Sequence, residues 1–205
     1  MITDMDNRKY TLRKRAQQQD ETRARIVEAT VALHEELGPR NTTVSAIALR
    51  AGVQRLTVYR HFPDDAALFQ ACTSCWLERH PPPPPPAPGA GDDPAHRFRN
   101  GLEALYRYYR ANERMLVNSL RDVAHVPALQ EPMQGFDAYR DVYRDALLRC
   151  WTATPRRQKR QLRATVSLLV RFPTWQALRE ELPDDGQIAL LALSWVAAIA
   201  APASH

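Results

Sequence analysis

Glycine is scarce in this sequence, with seven in 205 residues. Phosphate-cradling loops are built on glycine, and the patterns G-x-x-x-x-G-K-S/T, G-x-G-x-x-G, G-x-S-x-G and H-E-x-x-H are all missing. The carboxylate pairs Glu35-Glu36, Asp92-Asp93, Glu180-Glu181 and Asp184-Asp185 fall at expected helix ends or in polar runs, where solvated charge explains them. The chain therefore reads as a non-enzyme with no catalytic residues, no metal and no cofactor. Cysteine is scarce too. Three residues, an odd number, make no disulfide framework. No apolar run approaches the ~18 residues of a membrane span; the nearest, Ile188 to Pro202, is shorter and holds Ser194. The polar N-terminus has no signal-peptide apolar region. A cytoplasmic protein without membrane contact is the expectation. Strand alternation and internal repeats are also lacking, which leaves an all-α chain.

What is present centres on Thr42 to Phe62, TTVSAIALRAGVQRLTVYRHF. Val44, Ile47 and Ala48 fall at i, i+3 and i+4, one face of a short helix that Thr42 or Thr43 can cap. Ala51-Gly52 breaks the pattern, and glycine there permits a tight turn. A second short helix follows from about Gln54, with Val58 and Phe62 inward, and Pro63 stops it. Two short helices across a glycine-containing turn form a helix-turn-helix. The outer face of the second carries Gln54, Arg55, Thr57, Tyr59, Arg60 and His61, hydrogen-bonding groups suited to base edges and phosphates in a major groove. Residues 1–62 hold 11 Lys/Arg against 7 Asp/Glu, whereas 63–205 hold 17 against 16, so the basic excess sits at the end where a polyanion would bind.

TTVSAIALRAGV, then TVYRHF, then a proline-containing turn and Ala67-Leu68-Phe69, resembles the TetR (tetracycline-repressor) family. The resemblance spans about Glu21 to Phe69, roughly a quarter of the chain. It implies an N-terminal three-helix DNA-binding domain, a C-terminal helical domain for ligand binding and dimerisation, and repression relieved by a small-molecule effector. Two departures stand out. The family often has serine and glycine where Gln54 and Leu56 stand, and often a lysine where this chain has Pro63-Asp64-Asp65. Operator sequence and one phosphate contact therefore do not carry over.

The remaining organisation follows in chain order. Residues 1–19, with Arg8, Lys9, Arg13, Lys14 and Arg15, read as a disordered basic arm that can order on DNA. A helix-turn-helix domain covers 20–63, its first helix lined by Ile26, Thr30, Leu33 and Leu37, with Gly38 as C-cap and Pro39 beyond. A linker helix covers 64–80 and contains Cys72-Thr-Ser-Cys75, with His80 five residues on. A lone C-x-x-C is short of the four ligands tetrahedral zinc takes, so a structural pair and a redox or metal sensor both stay open. Residues 81–91, PPPPPPAPGAG, read as a stiff polyproline spacer, with docking of another protein as the lesser reading. Residues 92–205 read as a helical ligand-binding and dimerisation domain, with Pro127 and Pro132 marking a loop and Pro173 a break.

The resulting assignment is a sequence-specific DNA-binding regulator. Thr43, Gln54, Arg55, Thr57, Tyr59, His61 and Arg15 meet double-stranded operator DNA. Thr43 and Tyr59 suit phosphate; Gln54 and Arg55 suit bases. Tyr106, Tyr109, Asn118, Arg121, Asp122 and Trp175 are the expected effector contacts, chosen because ligand sites combine an apolar cleft with a few polar groups. Leu162, Val166 and Leu169 form one apolar stripe, and Leu191, Trp195 and Ile199 another. The resemblance implies that these stripes build a homodimeric four-helix interface. A redox or metal sensor acting through Cys72 and Cys75 is one alternative. A helical small-molecule-binding protein or enzyme with an incidental helix-turn-helix is the other.

Overall fold

A computed structural model describes the backbone of residues 2–87 and 93–201, without the side chains of residues 2–9 and 11. Arg8 and Lys9 of the basic arm, residues 88–91 of the spacer and residues 202–205 thus lie outside the described side chains or residues. The fold is all-α among the described residues. Its helices are α1 (Ile2–Leu37), α2 (Val44–Ala51), α3 (Arg55–His61), α4 (Asp65–Arg79), α5 (Pro94–Ala111), α6 (Glu113–Asp122), α7 (Gln130–Leu148), α8 (Lys159–Leu169), α9 (Phe172–Glu181) and α10 (Asp185–Ala200). The chain divides into two compact units, Met1–His80 with Val117–Met133, and Pro81–Leu116 with Gln134–His205. No helix among the described residues is long and apolar enough to cross a membrane.

In the first unit, α1 runs back to Ile2, so the stretch read as a disordered arm is helical. Its lysines, arginines, glutamines and leucine favour a helix even without an apolar face. Ile26, Val31 and Leu33 of α1 are buried, as are Ile47 and Ala48 of α2, Val58 of α3 and Leu68 of α4; α1 packs on α2 and α4, and α3 packs on α2. Leu37, expected on the inward stripe, is 45% exposed because α1 ends there. Gly38 adopts φ 88, a positive value open to glycine, but its ψ of 156 is extended and not that of the left-handed C-cap expected there.

The end of α1 is closed by residues distant in sequence. Asn118 Nδ2 donates to the carbonyls of His34 (3.2 Å) and Glu35 (2.8 Å), and Arg121 Nη2 to that of Leu37 (3.2 Å). Asp122 accepts from the Arg40 N–H at 3.0 Å and holds Arg121 at 2.7 Å. These bonds satisfy carbonyls that a helix C-terminus leaves without partners. A side chain at Gly38 would collide with them, its Cβ lying 2.1 Å from Arg121 Nη2 and 2.5 Å from Asp122 Oδ2.

The second unit is built on α5. Phe98, Leu102, Leu105, Tyr106 and Tyr109 are buried without remaining exposure, as are Ile188, Ala189, Ala192 and Val196 of α10, which packs on α5. The proline run 81–86 is part of this unit. Tyr139 Oη donates to the Pro83 carbonyl at 2.8 Å, and Gly101 leaves room for Pro86, whose Cγ would sit 3.0 Å from an added Cβ. Pro81, Pro84 and Ala87 are exposed while the residues between them are half-buried, the three-residue period of a polyproline helix with one face covered. The segment is thus a packed strap rather than a free spacer. Pro132 and Pro173 sit in the first turns of α7 and α9, where a missing N–H removes no helical bond; Pro173 directly follows the break between α8 and α9 that the sequence predicts.

Candidate nucleic-acid interface

Local bonds shape the helix-turn-helix. Thr43 caps α2, its Oγ1 accepting from the Ala46 N–H at 3.1 Å. Gly52 takes the left-handed conformation at φ 65 and ψ 39, and the Val53 N–H returns to the Ala48 carbonyl at 3.0 Å. This six-to-one closure ends α2 and turns the chain into α3. Val58 and Phe62, 1% and 2% exposed, anchor α3 from below, and Arg23 covers the Phe62 ring at 4.8 Å.

Burial of that one face fixes what the other presents. Gln54 stands at the α3 N-cap position but makes no side-chain capping bond, leaving its amide free for an external partner. Gln54, Arg55, Leu56, Tyr59 and Arg60 are exposed, whereas Thr57 and His61 are half-buried at the edge of the face. Arg13, Lys14 and Arg15 are exposed on α1. Leu56, at 68% exposure, was missed as a candidate because leucine in a short amphipathic helix normally signals core. Its sequence signal is its place one residue after Arg55, off the Val58–Phe62 face.

The expected effector residues fall in different units. Asn118, Arg121 and Asp122 belong to the first, committed to the end of α1 as described above. Tyr106, Tyr109 and Trp175 belong to the second and lie in one aromatic cluster. Tyr109 faces Phe172 edge-on at 5.4 Å, Trp175 at 6.1 Å and Phe136 at 6.4 Å. The polar tips are held by the chain itself: Tyr106 Oη donates to the Leu169 carbonyl (3.0 Å), Tyr109 Oη to that of Val170 (2.5 Å) and Trp175 Nε1 to Asp185 (3.0 Å). Burial raises both phenol pKa values above the ordinary tyrosine value. Burial would also raise the Asp185 carboxyl, but hydrogen bonds from Arg110 and Trp175 outweigh it and hold it below the usual value.

The two apolar stripes differ in the same way. Leu162, Val166 and Leu169 are 3%, 0% and 0% exposed in the single chain, so they are core of the second unit and have no surface to offer a second copy. Trp195 is 38% exposed, with Leu191 and Ile199 half-buried beside it. Leu168 (53%) and Leu190 (52%) extend the exposed apolar surface of α8 and α10.

Cys72 is buried in the first unit, its Sγ 3.6 Å from His34 Nδ1, and Phe69 packs on the imidazole at 4.8 Å. Burial, with a lesser contribution from Cys75, pushes the Cys72 thiol up to about 12. Burial lowers His34 to about 4, against a smaller upward pull from Asp122. A thiol held protonated in this way is a poor nucleophile and a poor metal ligand. No group of three or more His, Cys, Asp or Glu positioned for a metal occurs among the described residues.

Comparison with known proteins bears on these features. Residues 26–72 match the model of the bacterial regulatory proteins of the tetR family. The HTH-type transcriptional regulator TtgR of Pseudomonas putida is 38% identical over 69 residues, 34% of this chain and 33% of that protein. The chain thus aligns with about a third of the length of this curated relative. A TetR-like transcriptional regulator from Rhodococcus sp. RHA1 superposes with a TM-score of 0.58 at 17% identity, over 88% of this chain and 97% of that one. A second transcriptional regulator from the same organism gives 0.55 at 19% identity, over 89% and 99%. At such identities the similarity is one of fold, and it extends the all-helical architecture over both units.

Proposed function

We propose, from the match of residues 26–72 to the model of the tetR-family regulatory proteins, that the chain is a sequence-specific DNA-binding transcriptional regulator, a homodimeric repressor released by a small-molecule effector and not an enzyme. The observation that carries this reading is the outer face of α3, which sets an amide, two guanidinium groups, a phenol and a leucine free of acidic neighbours on an element narrow enough for a major groove. Gln54 and Arg55 read base edges, and Leu56 meets thymine methyls. Thr43 and Tyr59 bind phosphate; the Thr43 hydroxyl accepts from the helix it caps and keeps its proton to donate. Thr57 and His61 flank the contact, and Arg15 follows the backbone.

The exposed apolar line of α10 and Leu168 of α8 supports pairing of two copies through Trp195, Leu191 and Ile199. Such a dimer spaces its two α3 helices for half-sites about 34 Å apart. An effector reaching Tyr106, Tyr109 and Trp175 must open their buried cluster, and because their polar tips already have partners an apolar or aromatic body is favoured. Asn118, Arg121 and Asp122 act instead by positioning the end of α1. Because α6 carries Asn118, an effector preferring one placement of that helix would shift the DNA-competent population by its differential affinity alone. A cytoplasmic location follows from access to operator DNA.

The test is selection of genomic fragments by the full chain, followed by titration of a selected duplex and its scrambled counterpart. The selected duplex should bind about 10³-fold or more tightly than the scrambled one at physiological salt. Equal affinity for both would remove the specific-regulator reading.

A further inference from the structure

Between the end of α7 and the start of α8, the second unit has a cleft of about 460 Å³, a size usual for small-molecule sites. Leu148, Trp151 and Leu162 supply apolar lining, and Arg149, Lys159 and Arg163 supply cations. Thr152 adds a hydroxyl and Asp145 a carboxylate. That carboxylate is already held by Arg144 at 2.9 Å and Arg163 at 3.3 Å. Arg149 influences Asp145 only through its charge. Neither Arg149 nor Lys159 makes a hydrogen bond or close ion pair among the described residues. Nor does the surrounding sequence neutralise them, since residues 146–179 hold eight Lys/Arg and no Asp or Glu.

Trp151 gives the site its second character. Its ring stands edge-on to Phe98 at 5.9 Å, which fixes the indole plane, and its Nε1–H is buried without an acceptor. Two cations with no close partner beside a fixed aromatic and two leucines match a ligand with a flat apolar body and one anionic group. A duplex would need phosphate contacts spaced along a surface, whereas these cations border an apolar concavity. We propose that this cleft is a binding site for a small aromatic carboxylate, its ring against Trp151 and its carboxylate between Arg149 and Lys159. The site lies apart from the Tyr106–Tyr109–Trp175 cluster and does not depend on the DNA-binding reading.

The test is isothermal titration calorimetry on the full chain, with 2-naphthoate as probe and 2-naphthamide as its uncharged counterpart. Wild type should bind 2-naphthoate at one site per chain, about tenfold or more tightly than the amide, as expected for charge-assisted hydrogen bonds. Arg149→Ala/Lys159→Ala should lose that preference and leave amide binding unchanged; both residues are exposed, so the core is untouched. Should the double variant melt early, Lys159→Gln alone must still weaken 2-naphthoate selectively. Trp151→Phe should weaken both probes and keep the preference between them. Equal binding of the two probes by wild type overturns the proposal, as does unchanged 2-naphthoate binding in the charge variants. Absence of 2-naphthoate binding, with random-duplex affinity lowered in the double variant, also overturns it and assigns the cations to nucleic acid.

Discussion

The chain holds two acid-free basic stretches. Residues 37–63 carry four arginines without an Asp or Glu, and residues 146–179 carry eight Lys/Arg without one. By charge alone the second is the stronger candidate for a polyanion. Shape reverses the order. The first stretch folds into α2 and α3, and α3 raises two of its cations, Arg55 and Arg60, on a narrow convex element. The second bends through a turn around Trp151 and sets three of its eight cations, Arg149, Lys159 and Arg163, beside an apolar hollow. Net positive charge attracts any anion; convexity or concavity decides whether the partner is a duplex or a small molecule.

The strongest way to break this comparison is to remove the dimer. Trp195→Asp places a charge on the exposed face of α10, where burial against a second copy would cost several kcal/mol. The variant should sediment as a monomer and lose operator affinity about 10²-fold or more through lost bivalency, while 2-naphthoate binding stays the same. An unchanged dimerisation constant would rule out this face.

Acid should separate the two units next. His34 is 5% exposed, and its pKa falls from 6.5 to about 4 on folding. The unfolded chain therefore takes up the proton first, so this stability is complete above pH 6.5 and is lost as pH falls from there towards 4, on the order of 3 kcal/mol. Hydrogen-exchange protection of α1 amides should drop across that window and hold steady in a His34→Leu variant. Protection in α5 should stay flat, since Arg110 of that helix pairs with Asp185, whose carboxyl is held below its usual value and stays charged through that window. Parallel loss in both helices would mean the two units do not respond separately.

Much of the molecule was legible in the sequence where local physics decides. Gly52, the Val58–Phe62 pair and Asp64, which caps α4 by accepting from the Ala67 N–H at 2.8 Å, all announce the helix-turn-helix through nearby residues. Where partners are remote, the pattern fell silent. The stripe Leu162–Val166–Leu169 has one spacing whether it faces its own core or a second copy, and only burial separates the two. Asn118, Arg121 and Asp122 resemble pocket residues by type, but their partners on α1 and at Arg40 lie more than eighty positions away. The basic arm failed for another reason: low apolar content argues against a packed core, not against a helix.

The smallest effect belongs to the α1 arm. Arg15→Ala should weaken selected and random duplexes alike and reduce the slope of log K against log salt by about one. A loss confined to the selected duplex would move Arg15 from phosphate to base.

The most direct measurement of the central claim is anisotropy titration of a selected and a scrambled duplex with wild type and Arg55→Ala. If α3 reads sequence through Arg55, the variant loses about 1–3 kcal/mol on the selected duplex and distinctly less on the scrambled one. Equal loss on both would make Arg55 a phosphate contact, and no loss on either would contradict DNA reading by this helix.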